Sequence, residues 1–161
     1  MRVLLVTTGT NKVRATLTGL DSIILEVVDV LECGQEGKKK FLSELKTRLE
    51  TYAPDILLVW RCPYILSSDI YTLPRHGAFN LHPSLLPEYK GLNPWDAVYG
   101  NNEKETGVTL HRISDIADSG EIICQDKFTI AGMDLESARE EADSIAARLV
   151  LRFILRKAEI D

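Results

Sequence analysis

The sequence predicts a doubly wound α/β domain with a mostly parallel sheet, on three observations. Continuous apolar runs at residues 3–7 and 56–60 read as strands covered on both faces. Helical patterns fall between such runs, the alternation expected of parallel strands joined by crossover helices. Turn formers and polar residues cluster just after the runs, where a doubly wound sheet holds its ligands.

The elements follow in order. The run at 3–7 is the first strand, and Gly9-Thr10-Asn11 ends it. A short helix is expected over 12–20. Residues 23–31, IILEVVDVL, are rich in branched side chains and read as a second strand. From 35 to 52, Phe41, Leu42, Leu45 and Leu49 recur at helical spacing, and Pro54 stops the helix. ILLVW at 56–60 is a third strand, followed by a short helix near 67–73. A fourth strand at 78–82 carries Asn80 and His82. Pro94 suits the first turn of a further helix. Residues 107–113 and 122–130 alternate like two paired strands. Asp134 is placed to cap a last helix, in which Leu135, Ala138, Ala142, Ile145, Leu149 and Phe153 share one face.

With 161 residues, 45% hydrophobic and 27% charged, the chain fits one soluble domain, 1–161. A net charge of −5 disfavours nucleic acid as a partner. No run approaches the ~20 apolar residues of a membrane span, and the N-terminus lacks the apolar stretch of a signal peptide. Cys33, Cys62 and Cys124 show no CxxC spacing. Neither zinc nor a disulfide framework is expected, and a reducing, cytoplasmic location fits. The oligomeric state is not encoded in any readable pattern.

The loops after the strands at 8–11, 61–66 and 82–91 converge on the carboxyl edge. Asn80 and His82, two apart on a strand, point to the same side, with Cα atoms roughly 6.6 Å apart. Pro83 drives His82 to an extended backbone. Asp118 falls in a turn, DSG, between two strand-like runs. His111, in an alternating strand, reads as structural. A carboxamide, an imidazole and a carboxylate suit acyl transfer: the amide stabilises an oxyanion, and the other two move protons. No Ser or Cys stands in a nucleophile-elbow pattern, which disfavours a covalent intermediate.

Asn80-Leu-His82-Pro-Ser-Leu-Leu-Pro87, then Gly91, Gly107-Val-Thr-Leu-His111 and Asp118-Ser-Gly120, resembles the formyltransferases that use 10-formyltetrahydrofolate. The match runs from about residue 52 to 130. The resemblance implies a Rossmann-like catalytic fold, with 10-formyltetrahydrofolate as formyl donor and no metal. It implies that Asn80 holds the formyl oxygen, that His82 polarises the carbonyl, and that Asp118 orients His82 and relays a proton through water. It also implies a folate-pterin slot at Tyr64, Ile65 and Leu66, and a water-ordering hydroxyl at Thr109.

For the acceptor, the family's ribonucleotide enzymes hold a phosphate on a Gly-rich loop. The counterpart here is the shorter Thr8-Gly9-Thr10-Asn11. Gly9, Thr10 and Asn11 are the substrate-binding candidates, with Lys12 or Arg14 nearby. Ala146-Ala147 replaces the Glu-His pair of those enzymes, which weakens glycinamide ribonucleotide as acceptor. The methionyl-tRNA enzymes carry a further C-terminal domain, and transfer RNA is not expected here. Gly91-Leu-Asn-Pro-Trp95 resembles the sugar N-formyltransferases, so an amino group on a nucleotide-linked sugar leads. Formyltetrahydrofolate hydrolysis, the ribonucleotide reaction and a non-catalytic folate-binding role are the alternatives.

Overall fold

The computed structural model describes residues 1–9, 11–20, 26–32 and 37–158, with the backbone alone for residues 20, 28–30 and 32. The elements are β1 (Arg2–Thr7), α1 (Lys12–Leu20), β2 (Glu26–Glu32), α2 (Lys38–Tyr52), β3 (Ile56–Trp60), α3 (Ser68–Tyr71), β4 (Gly77–His82), α4 (Pro94–Gly100), β5 (Glu105–Arg112), β6 (Ile122–Thr129) and α5 (Leu135–Ala158). The expected start of the second strand falls partly on residues outside the described ones, as do Thr10, Cys33 and the expected first residues of α2.

The six strands form one sheet in the order β2-β1-β3-β4-β5-β6. The first four pair in parallel. β5 and β6 continue the sheet antiparallel. The chain leaves β1 to one side for β2 and returns on the other side for β3. The connections leaving the carboxyl ends of β1 and β3 therefore run to opposite sides, and a ligand crevice opens where they part.

Alternation along the strands builds two cores. Val3, Leu5, Ile56, Leu58, Trp60, Phe79 and Leu81 pack against α1 and α5, where Val13, Leu17, Ala142, Ile145 and Leu149 face inward. Leu4, Val6, Leu57 and Val59 pack against Phe41, Leu45 and Leu49 of α2. Both faces of β1 and β3 are thus dry, which explains their uninterrupted apolar runs. Truncating a fully buried leucine such as Leu58 to alanine costs about 2–5 kcal/mol.

Local chemistry sets the helix ends. Ala53 takes a left-handed conformation and gives its N–H to the Leu49 carbonyl at 2.9 Å, and Pro54 then forbids continuation. At α5, the Asp134 carboxylate accepts the Ser137 N–H at 2.8 Å, an N-terminal cap. That bond holds the carboxyl below its ordinary pKa.

Candidate active site

β4 splits its side chains between the two faces. Phe79 and Leu81 go into the α1/α5 core. Asn80 and His82 turn to the opposite face, where the strand runs out. β5 pairs antiparallel with Asn80 opposite His111 and His82 opposite Thr109. Two imidazoles and one carboxamide therefore share one patch of sheet, and both histidines are buried.

Asp118 arrives from the loop between β5 and β6. Its own backbone takes the left-handed conformation, φ 51°, which Asp tolerates better than most residues. The turn's strain thus lies at Asp118 and not at Gly120. Gly120 is required for another reason: a Cβ there would sit 1.8 Å from the Arg112 carbonyl oxygen. This close approach lays the Asp118 loop across the end of β5.

The Asp118 carboxylate meets three groups. Oδ2 accepts the Gly91 N–H at 2.9 Å. Oδ1 lies 3.5 Å from His82 Nδ1 and 3.5 Å from His111 Nε2. Burial pushes this carboxyl up, but the neighbouring His111, the Gly91 N–H and His82 together bring it below its ordinary value. Burial lowers the pKa of His82 more than the Tyr89 carbonyl and Asp118 raise it. At neutral pH the site holds a neutral His82 beside an ionised Asp118.

Proton placement follows from the partners. His82 Nε2–H donates to the Tyr89 carbonyl at 2.8 Å. Its Nδ1 lone pair then faces Asp118, so a proton entering that gap is held by both groups. His111 Nδ1–H donates to the Arg112 carbonyl at 3.0 Å. Its Nε2 can then accept from Asn80 Nδ2, 3.2 Å away. This fixes which end of the carboxamide carries nitrogen, and the second N–H of Asn80 is left for a ligand. His111, read from the sequence as structural, thus lies in contact with both Asn80 and Asp118.

Thr109 needs a different account from the expected one. It is fully buried and is not among the residues lining the cavity beside Asn80 and His82. Its hydroxyl donates to the Ser84 carbonyl at 2.7 Å and accepts from Leu86 N–H at 3.1 Å and Gln125 Nε2 at 2.8 Å. Thr109 braces the loop after His82 rather than ordering water. Ser84 adds a hydroxyl bond to the Glu88 carbonyl at 2.8 Å, and the Leu86–Pro87 peptide is cis.

These groups open into a cavity of about 650 Å³, within the usual range for a small-molecule site. Asn80, His82, His111 and Asp118 lie along it, as do Tyr64, Ile65 and Leu66. Ile65 and Leu92 are 58% and 73% exposed, apolar surface left uncovered at the same cavity. Trp60, Arg61, Trp95 and Arg139 line it as well. Gly9 and Asn11 do not, and Thr10 lies outside the described residues. Asn11 instead caps α1, its Oδ1 accepting the Arg14 N–H at 2.9 Å. Among the described residues, no three His, Cys, Asp or Glu side chains gather as metal ligands, and no helix is long and apolar enough to cross a membrane.

Comparison with known proteins bears on the family and the fold. The family model described as formyl transferase matches residues 2–148. Among solved structures, a glycinamide ribonucleotide transformylase 1 from Symbiobacterium toebii superposes with TM-score 0.84 at 21% identity, covering 99% of this chain and 88% of that one. A phosphoribosylglycinamide formyltransferase from Coxiella burnetii gives TM-score 0.77 at 19% identity, covering 96% and 85%. A formyltetrahydrofolate deformylase from Pseudomonas syringae gives 0.80 at 20% identity, covering 96% of this chain and 61% of that one. At these identities the likeness establishes a shared fold.

Proposed function

The chain belongs to the formyl transferase family, and from that premise we propose that it moves the formyl group of 10-formyltetrahydrofolate to the amine of a small acceptor. One observation carries the reading. A carboxamide, two imidazoles and a carboxylate meet within 3.5 Å steps along one cavity at the carboxyl edge.

The residues divide the work. The free N–H of Asn80 meets the formyl oxygen as it gains negative charge. The acceptor nitrogen bonds to the formyl carbon, and the bond from that carbon to folate N10 breaks. The proton lost by the amine passes into the His82–Asp118 gap and on to N10 of the departing folate, through water where the gap is too wide for direct contact. While His82 carries that proton, its charge offsets the oxyanion beside Asn80. Tyr64, Ile65 and Leu66, with Leu92, offer an apolar slot for the pterin, edged by the backbone groups of the loop after β3. On the acceptor side, the cavity is edged by the Gly91-Leu-Asn-Pro-Trp95 segment, whose resemblance to the sugar N-formyltransferases supports an amino group on a nucleotide-linked sugar as acceptor.

The test is to follow tetrahydrofolate release from 10-formyltetrahydrofolate with and without a panel of amino-sugar nucleotides. Transfer predicts release that depends on one acceptor and yields its N-formyl product. Equal release without any acceptor would instead make water the nucleophile and the enzyme a hydrolase.

A further inference from the structure

The start of α1, where a phosphorylated acceptor was expected to bind, is already supplied with an anion. Asp143, on α5, is 7% exposed. Its Oδ2 accepts the backbone N–H of Lys12, the first residue of α1, at 2.7 Å. Its Oδ1 accepts the indole N–H of Trp60 at 2.8 Å and lies 3.6 Å from an Arg61 guanidinium nitrogen. Next to it, Ser144 accepts from the Lys12 ammonium at 2.5 Å. The N–H of Arg14 goes to the side chain of Asn11.

A helix start attracts phosphate because its N–H groups lack partners and its dipole favours negative charge. Here a carboxylate of the chain itself takes that role. A phosphate entering would have to displace a buried carboxylate bonded to two N–H groups, or sit against its negative charge. We propose that Asp143 is a specificity-determining residue: it occupies the anion position at α1 and excludes acceptors that present a phosphate there. The acceptor amine of the proposed reaction accordingly belongs to a molecule whose α1-facing end carries no phosphate. Any nucleotide phosphates lie along the cavity itself, whose lining includes Trp60 and Arg61 but neither Lys12 nor Asp143. The inference rests on the formyl-transfer reading for its relevance, but not for its test.

The test is binding of inorganic phosphate to the whole protein, read by tryptophan fluorescence, to which Trp60 contributes, and by thermal unfolding, with no folate present. Wild type is expected to show no saturable response and no phosphate-dependent rise in Tm. Asp143→Ala, which bares the Lys12 N–H, is expected to bind phosphate saturably, at concentrations at least about tenfold below any at which wild type responds, and to gain Tm with phosphate. Asp143→Asn keeps the shape and removes the charge, so a smaller gain is expected. It carries the test if the alanine variant does not fold. Wild type binding phosphate as well as the variants, or no gain in either folded variant, overturns the proposal. In a second arm, wild type should show no preference for glycinamide ribonucleotide over its dephosphorylated riboside; a strong preference for the ribonucleotide also overturns it. Because the phosphate arm involves no turnover, its failure is distinct from a failure of formyl transfer.

Discussion

Two regions of the carboxyl edge treat their polar groups in opposite ways. At the ends of β4 and β5, the fold braces the backbone and leaves functional atoms available: Thr109 and Ser84 hold the loop, and Asn80 keeps an N–H in reserve. At the end of β1, the fold consumes its own polar groups: Asn11 caps α1, and Asp143 takes the Lys12 N–H. Both regions occupy places where a doubly wound sheet binds ligands. What separates them is whether the hydrogen-bond partners are supplied by the chain or left for a ligand.

That contrast can be broken most severely at His82. His82→Ala removes the group that receives the amine's proton, and kcat for formyl transfer should fall by about 10²–10⁴. Folate affinity, measured by calorimetry, should stay near the wild-type value. Loss of both together would mean that His82 shapes the cavity rather than moving the proton.

A smaller effect is expected where positioning alone is lost. His111→Leu frees the Asn80 amide to turn over, and kcat should drop roughly tenfold or more, with KM little changed. His111→Gln can still accept from Asn80 and should recover part of the loss. Equal defects in the two variants would count against the positioning role.

The bracing can be tested by stability. Gly120→Ala drives a methyl into the Arg112 carbonyl and should cost about 1–3 kcal/mol in chemical denaturation. Thr109→Val strands the Leu86 N–H and the Gln125 amide and should cost a comparable ~1–3 kcal/mol, at the lower end because Gln125 keeps its bond to the Leu86 carbonyl at 2.8 Å. A neutral result at either position would show that the loop is held by other contacts.

Much of the sheet was legible because its physics is local. The dry runs at β1 and β3, the helix α1 over Lys12–Leu20, the proline stop after α2 and the Asp134 cap of α5 all announce themselves within a few residues. The pairing of β5 with β6 also follows from two adjacent alternating runs. The membership of Asn80, His82 and Asp118 in one cavity came from their motif. The contact of His111 with Asn80 was not legible because it depends on the register that sets the two opposite each other. One signal was present: Val108 and Leu110 alternate with Thr109 and His111, which puts both polar residues on one face. Asp143 left no such trace. Its partner at Lys12 is 131 residues away in the chain, and its place on a helix reads as an ordinary polar position until α5 is laid beside α1.

The most direct measurement is kcat/KM for formyl transfer against pH, in wild type and in Asp118→Asn. The reaction needs His82 neutral, and burial holds its pKa below the ordinary histidine value. Wild-type activity should therefore persist as pH falls past that ordinary value and be lost only through the lowered one. The Asp118 carboxylate raises the His82 pKa, so Asp118→Asn should move the acid limb to still lower pH and reduce the plateau. An acid limb that stays in place when Asp118 is neutralised, at an unchanged plateau, would contradict a shared proton between these two groups.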